Sequence, residues 1–440
     1  MSWIPNTDAD RTAMLSAIGA GDVAELFSDV PAEHRFPALA LPDPLSEPEL
    51  MAEMRALAAR NAASADGPCF LGAGAYRHFI PAAVSFIAAR SEFVTAYTPY
   101  QPEISQGTLQ AIFEYQSLIS RLTGMDASNA SHYDGATATA EAVLMALRVH
   151  QGKRRKVRLS RTLHPQYREV VRTYLQGMDV EIRDADAADG DTACLVVQNP
   201  DFLGRIRAPD AMGDLAAGTH AAGALFLVAA NPIALGLLEP PGSYGADVTV
   251  GEGQALGGGL CFGGPYLGFF AFRRELIRRS SGRIAGETVD RDGRRGFVFT
   301  LNTREQHIRR ERATSNICTN ESLNALTAAA YLSCLGRGGL RAVAELCWHK
   351  AHYAARLLSA LPGFSVVEGP FFHEFALRCP VPVSVLNRRL REDHGILGGY
   401  DLGGEYPELA GHMLLCCTEL TSRADVDLLA SALKEASHGH

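Results

Sequence analysis

Between about Asn129 and Phe272 the sequence alternates between two hydrophobic periods, and this alternation constrains the fold more than any other feature. "KVRLS", "DVEIRD", "TACLVVQNP", "GALFLVAANP", "ADVTVGEG" and "LGFFAF" read as short strands. "GATATAEAVLMALRVH", "QYREVVRTYLQGM" and a stretch near Ala211 to Ala217 read as helices between them. Strands separated by helices are joined by crossovers, so the pattern predicts a mostly parallel sheet covered on both faces. The run from Ala221 to Leu238 is almost wholly apolar and has the composition of a membrane span, but Asn231-Pro232 interrupts it. It is read instead as a buried parallel strand followed by a turn.

The flanks are organised differently. The first stretch, roughly 60 residues, reads as helical, with Ser46-Glu47-Pro48-Glu49 as a capping box ahead of Leu50, Met51, Met54 and Leu57. A glycine- and aromatic-rich segment runs from Pro68 to Pro81, and a proline-rich one, "YTPYQPEISQG", from Tyr97 to Gly107. The latter is too interrupted for a helix or a central strand. Thr108 to Leu122 has helical period and stops at Gly124. From Glu321 onward come two long helical patterns, short strands ("FSVVEG", "HEFALRC", "HMLLCCT") and a last helix capped by Ser422. The expected organisation is an N-terminal helical or extended arm (1–90), a large α/β domain (91–320) and a smaller α+β C-terminal domain (321–440).

Charge and composition narrow the function. Forty-nine acids against 41 bases give a net charge of -8, which argues against a nucleic-acid partner. Nine cysteines at irregular spacings, without a Cys-x-x-Cys pair, fit a reducing, cytoplasmic compartment. Trp3, Pro5, Asn6 and Asp8 show no basic region followed by an apolar core, so neither a secretory signal nor a membrane association is expected. His349 and His352 lie three apart on a helical pattern, but Trp348 and Tyr353 beside them indicate packing, and no metal is expected. Lysine occurs only at Lys153, Lys156, Lys350 and Lys434, so any lysine chemistry must come from those positions.

Several strings carry candidate chemistry. Gly72-Ala73-Gly74 and Gly251-Glu252-Gly253 lack the third glycine of a dinucleotide fingerprint. Lys153-Arg154-Arg155-Lys156 reads as a solvated loop between a helix end and a strand start. "HYDGATATAEA" places Gly135, Thr137 and Thr139 at a helix start; that arrangement suits either plain capping by Asp134 or Thr137, or an anion such as a phosphate. "RRERATSNICTNESLNAL" offers Thr314, Ser315 and Asn316 as donors at a helix-initiating loop, for a surface cap or for a phosphate or carboxylate across a subunit boundary. "YTPYQPEISQG" holds Tyr97, Tyr100, Gln101, Glu103 and Gln106 in a stiff loop, a structural crossover or a site builder.

Taken together, "FLGAGAYRHFIPAAV", "YTPYQPEISQGTLQAIFEYQSLISRLTGMDASNAS", "VGEGQALGGGLCFGGPYLGFFA" and "REQHIRRERATSNICTNESLNAL" resemble the P-protein of the glycine cleavage system, the glycine decarboxylase, over nearly the whole chain. The length fits the N-terminal-half subunit of forms in which that protein is split in two. The resemblance implies the aminotransferase-like fold of pyridoxal-phosphate (PLP) enzymes, fold type I. It also implies a homologous second subunit that holds PLP covalently, two of each, active only together. The implied reaction decarboxylates glycine on PLP and passes the aminomethyl group to the lipoyl arm (lipoamide) of the H protein.

Such an enzyme needs a lysine for PLP, an acid for its pyridinium nitrogen and an anion site for its phosphate. In this fold the acid follows a central strand, here "GALFLVAANP", where Ala229-Ala230-Asn231-Pro232 has none. The lysine follows the next strand, here "ADVTVGEGQALGGG", and Gly253 to Leu256 contains none. Two requirements missing together on an intact scaffold mark a duplicated half without cofactor. From the resemblance, Tyr97, Tyr100, Gln101, Glu103 and Gln106 are expected to line one wall of the partner's site, with Thr314, Ser315 and Asn316 as cofactor contacts. The alternatives are a non-catalytic scaffold for the PLP-bearing chain and an autonomous PLP-dependent decarboxylase or aminotransferase.

Overall fold

A computed structural model describes residues 5–94, 98–317 and 320–437, and its two units are Met1–Ala62 and Ala63–His440. In the first unit, local capping sets the helices. Helix α1 (Asp8–Ile18) begins at a Thr7/Asp10 capping box, and α2 (Glu47–Ala58) at the predicted Ser46/Glu49 box, where the Ser46 N–H donates to Glu49 at 2.8 Å. The predicted apolar positions Leu50, Met51, Met54 and Leu57 are all exposed, and no described residue of 5–62 is buried.

In the second unit α3 (Ala82–Ala88), a helical turn α4 (Ser91–Val94) and α5 (Gln106–Thr123) precede the sheet; α5 ends at Gly124, in the left-handed region as expected. The central sheet is β1 (Ala127–Ser128), β2 (Lys156–Leu159), β3 (Glu181–Asp184), β4 (Thr192–Asn199), β5 (Leu225–Ala230), β6 (Val248–Glu252) and β7 (Gly268–Phe272). Their spatial order is β1-β7-β6-β5-β4-β2-β3, with β2 to β6 paired parallel and β7 antiparallel to β6 and β1. The crossovers are α6 (Gly135–Val149), α7 (Pro165–Leu175) and α8 (Pro209–Ala221). The apolar run resolves as predicted: β5, then Asn231, whose Oδ1 accepts from the Ile233 N–H at 2.9 Å and closes the turn.

Burial explains the near-continuous hydrophobicity of these strands. Leu195, Val197, Phe226 and Val228 face one core, and their neighbours Cys194, Val196, Leu227 and Ala229 face the other. Side chains alternate across a strand, so a sheet covered on both faces needs apolar residues at every position.

Beyond β7, a hairpin of β8 (Ile284–Val289) and β9 (Arg295–Thr300) leads through a turn α9 (Gln306–Arg309) to α10 (Ser322–Ser359). The two helical patterns read after Glu321 form this one element, broken at Gly336 with φ 58°. A second sheet, β10 (Ser365–Val366), β11 (Glu374–Arg378), β12 (Tyr400–Asp401) and β13 (His412–Cys416), has order β10-β11-β13-β12 and is antiparallel. It shares a core with α11 (Val383–His394) and α12 (Arg423–Ser437). The β8–β9 hairpin and α11 were not anticipated: the hairpin strands mix buried, half-buried and exposed positions without a clear alternation, and α11 buries only Val383, Leu386 and Leu390 amid arginines. Among the described residues no helix is long and apolar enough to cross a membrane.

The sheet is tightly packed at Gly251, where an added Cβ would lie 2.3 Å from the Ala230 carbonyl oxygen and 2.5 Å from the Phe269 ring. Gly251→Ala is therefore expected to destabilise the chain by about 1–3 kcal/mol, as overpacked cores do. A denaturant midpoint unchanged from wild type would show that β5, β6 and β7 can spread at this point.

Candidate functional site

In an open α/β sheet the ligand crevice lies beyond the carboxyl ends of the strands, where a helix N-terminus points into it. Here α6 begins at the end of β6. Its first turn is capped locally: Asp134 accepts from the Thr137 N–H at 2.7 Å, and Thr137 Oγ1 accepts from the Asp134 N–H at 3.1 Å. The Gly135 N–H goes to Glu252 Oε2 at 3.0 Å. The other Glu252 oxygen accepts from the Gln254 N–H at 2.9 Å and the Leu267 N–H at 3.0 Å. Burial pushes this carboxyl from its ordinary value up to about 7, against the pull of those three backbone donors. Of the two readings of "HYDGATATAEA", the cap is formed, and the chain's own carboxylate takes the place of an outside anion.

The rest of the crevice is filled. An added Cβ on Gly135 would lie 2.0 Å from the Tyr167 hydroxyl, so that phenol sits directly on the helix start. Tyr167 stacks on His164 at 5.0 Å, and His164 Nε2 bonds the Ala73 carbonyl at 2.9 Å. Gln254, in the stretch searched for a lysine, is buried; it accepts from the Tyr76 N–H at 2.9 Å and donates to the Tyr76 and Gly258 carbonyls at 2.9 and 2.8 Å. The Tyr76 hydroxyl donates to Glu374 at 2.7 Å, and the Ala73 N–H to the same carboxyl at 2.7 Å; burial raises Glu374 to about 7 as well. The segment from Phe70 to His78 is thus bonded into the crevice from above. These residues do not fit PLP: the phosphate position holds a carboxylate and a phenol, and no lysine or acid stands where the cofactor needs one.

The residues singled out in sequence fall into two groups. Tyr97 lies outside the described residues. The Tyr100 hydroxyl accepts from Arg283 Nη2 at 2.6 Å, with the guanidinium 5.2 Å from the ring centre and His307 edge-on at 5.7 Å. Gln106 clasps β9: its carbonyl accepts from the Phe297 N–H and its amide donates to the Phe297 carbonyl, both at 2.8 Å. Gln101 and Glu103 are exposed and make no side-chain bond among the described residues. Ser315 donates to the buried Glu141 at 3.0 Å, Thr314 donates its N–H to the Arg304 carbonyl at 2.9 Å, and Asn316 is exposed.

A small recess lined by Arg283, Glu305, Thr314, Ser315 and Asn320 brings the two groups together. Its centre is Arg283, only 4% exposed and 3.4 Å from Glu305. Sequence reading missed Arg283 and Glu305. The available signal was a cation in "GRIAGE", at a strand start that is otherwise apolar.

For a metal, His78, Cys347 and Glu419 offer ligand atoms within 4.8 Å of one another, but these atoms are spent on each other: His78 Nδ1 lies 2.7 Å from Glu419, and the Cys347 thiol 3.4 Å. His352 stacks flat on Phe371 at 4.0 Å, which is the packing role expected from its neighbours.

The chain matches the family model "Glycine cleavage system P-protein" over residues 1–433. Relatives named probable glycine dehydrogenase (decarboxylating) subunit 1 are 53% identical in Desulforamulus reducens (98% of this chain, 99% of the relative) and 52% identical in Thermomicrobium roseum (99% and 100%). A crystal structure of glycine decarboxylase (P-protein), in inhibitor-bound form, superposes with a TM-score of 0.91 at 44% identity, covering 99% of this chain and 100% of that one. Sphingosine-1-phosphate lyase from Burkholderia pseudomallei shares the fold at 18% identity, TM-score 0.64, covering 93% of this chain and 94% of that one. The expected PLP fold type I architecture is thereby borne out.

The filled crevice predicts a pH signature. Folded Glu252 holds its proton up to about pH 7, whereas the unfolded carboxyl gives it up near its ordinary value of 4.5. Its contribution is full below that ordinary value and is lost as pH rises through the folded one. Between about pH 4 and pH 8, wild type should lose about 3 kcal/mol relative to Glu252→Gln. Urea midpoints across that range check it, and a difference that stays flat would mean that the group is already ionised in the fold.

Proposed function

Because the chain belongs to the glycine cleavage system P-protein family, we propose that it is the cofactor-free subunit of glycine decarboxylase, a glycine dehydrogenase active only beside a homologous second subunit. The observation that carries this reading is the self-filled crevice: Glu252, Tyr167 and Gln254 occupy the space in which an independent enzyme of this fold would hold PLP. The second subunit then supplies PLP, which provides the electron sink for loss of CO2 from glycine. The aminomethyl group passes to the lipoyl arm of the H protein. Two copies of each subunit and a cytoplasmic location complete the proposal.

This chain's part is to shape and orient. Tyr100 is held by Arg283, which positions a phenol at the edge of the proline-held loop. Exposed Glu103 and Gln101 project from that loop as unspent polar groups, available to glycine or the lipoyl arm once the partner covers them. Thr314, Ser315 and Asn316 lie at or beside the Arg283 recess and are the proposed contacts to the partner's cofactor. Tyr97 belongs to the same loop by sequence. One observation favours the second reading, a non-catalytic scaffold: Gln106 is wholly engaged with Phe297 and Pro102 and acts as a clasp.

Glu103→Gln and Tyr100→Phe separate the two readings. In the enzyme reconstituted with its second subunit, each should lower glycine turnover by roughly 10- to 100-fold, the range for a lost polar contact at a reacting centre. Glu103→Gln should leave the thermal midpoint in place, whereas Tyr100→Phe, which removes the acceptor of the buried Arg283, should also lower it. Unchanged turnover, or a loss that follows stability, would leave the scaffold reading standing. The chain alone, mixed with PLP, should develop no visible absorbance band; a band would support an autonomous enzyme instead.

A further inference from the structure

At the opposite end of α6 lies a cleft of about 990 Å³ that meets the Arg283 recess at Thr314 and otherwise lies outside the groups assigned above to the glycine reaction. Gly135 and Arg148 are thirteen residues apart on one helix, which places the cleft about 20 Å from the filled crevice. Its floor is apolar, with Leu144, Leu147, Met178, Val180 and Leu301. Its rim is arginine. Arg154 is committed to the Thr192 and Ala222 carbonyls at 2.9 and 2.6 Å, and Arg155 to Asp179. By contrast, Arg278, Arg279 and Arg309 are exposed and make no ion pair or side-chain hydrogen bond among the described residues. Arg148, 3.6 Å from Glu141, has Nε and Nη2 buried without a hydrogen-bond partner.

We propose that this cleft binds a small polyanion, of the class of nucleoside di- and triphosphates, with phosphates on the arginine rim and a planar, apolar body on the floor. The chain as a whole carries -8, so the positive rim is a local construction and not an average property of the surface. Uncompensated cations around a low-dielectric concavity focus positive potential there and repel one another until an anion arrives. Guanidinium groups take phosphate oxygens in pairs, which gives orientation as well as attraction. The volume suits a single ligand of this size, and a recessed apolar floor calls for an apolar body joined to the anionic groups. Thr303, Arg309 and Thr314 form one wall, so an occupant also fastens that segment to α6.

Calorimetric titration of the full chain with ADP, ATP and inorganic pyrophosphate tests the site. The expected result is saturable one-to-one binding of at least one probe. It should weaken about tenfold or more, the loss of a charge-assisted contact, in Arg278→Glu/Arg279→Glu and separately in Arg309→Glu, and persist in the distant control Arg423→Glu. Circular dichroism establishes that each variant is folded, and the two independent rim variants guard against one that is not. No saturable binding of any probe overturns the proposal, as does an affinity that ignores both rim variants. Saturation by a glutamate-rich peptide, with pyrophosphate and ADP unable to compete, would assign the cleft to a protein partner and equally overturn it.

Discussion

The contact on which the site depends is the one between the Glu252 carboxylate and the first turn of α6. A helix N-terminus presents free N–H groups and a positive end of its dipole, and in open α/β folds this attracts a phosphate. Here the acceptor comes from the chain itself, a buried carboxyl group. Once Glu252 accepts from Gly135, Gln254 and Leu267, the end of β6, the start of α6 and the approach to β7 are tied at one point. A phosphate could enter only by expelling a carboxylate that has three backbone partners. Tyr167 would have to move as well, since its hydroxyl lies where even a methyl group on Gly135 would not fit.

The filling extends outward from that point. Gln254 is locked to Tyr76, Tyr76 to Glu374, and Ala73 to both Glu374 and His164, so the glycine-rich segment that precedes the α/β region becomes the roof of the crevice. Each link is a buried polar group with a partner, and such networks are stabilising only when complete. The raised values of both Glu252 and Glu374 follow from the same burial. A pocket merely relieved of its lysine would be left open and wet. This one is closed by bonded groups, although His373 beside Tyr76 keeps both ring nitrogens buried without a partner; the closure is consistent with a half that is kept for its shape and its surfaces.

Much of the architecture was legible in the sequence because the signals were local. Asn231-Pro232 ends β5, Gly124 ends α5, and Ser46 with Glu49 starts α2; each rests on residues a few positions apart. The site was only half legible. The missing lysine and acid are positional facts that strand order can reveal. What replaced them is not: Glu252 lies 117 residues from Gly135, and in sequence it is only the middle of a Gly-Glu-Gly that fails as a nucleotide motif. Arg283 was hard to read for a similar reason. Its partners Tyr100 and Glu305 come from segments on either side of it in sequence, 183 and 22 positions away, and its charge at an apolar strand start does not say what it meets.

The position of that node bears on how the chain, on the proposed reading as a subunit without a cofactor, can take part in chemistry. Its own crevice is shut, so any contribution must be made from the outer surface, by groups held still without help from a ligand. Arg283 meets that requirement. It is 4% exposed, paired with Glu305 and bonded to Tyr100, so the loop from Thr98 to Gln106 is held at one end by a charge-assisted bond and at the other by the Gln106 clasp on β9. A loop fastened at both ends loses little entropy when a partner closes over it. The side chains left unspent between the anchors, Gln101 and Glu103, are exposed, which is why the proposed reading assigns them the contact with the partner's site.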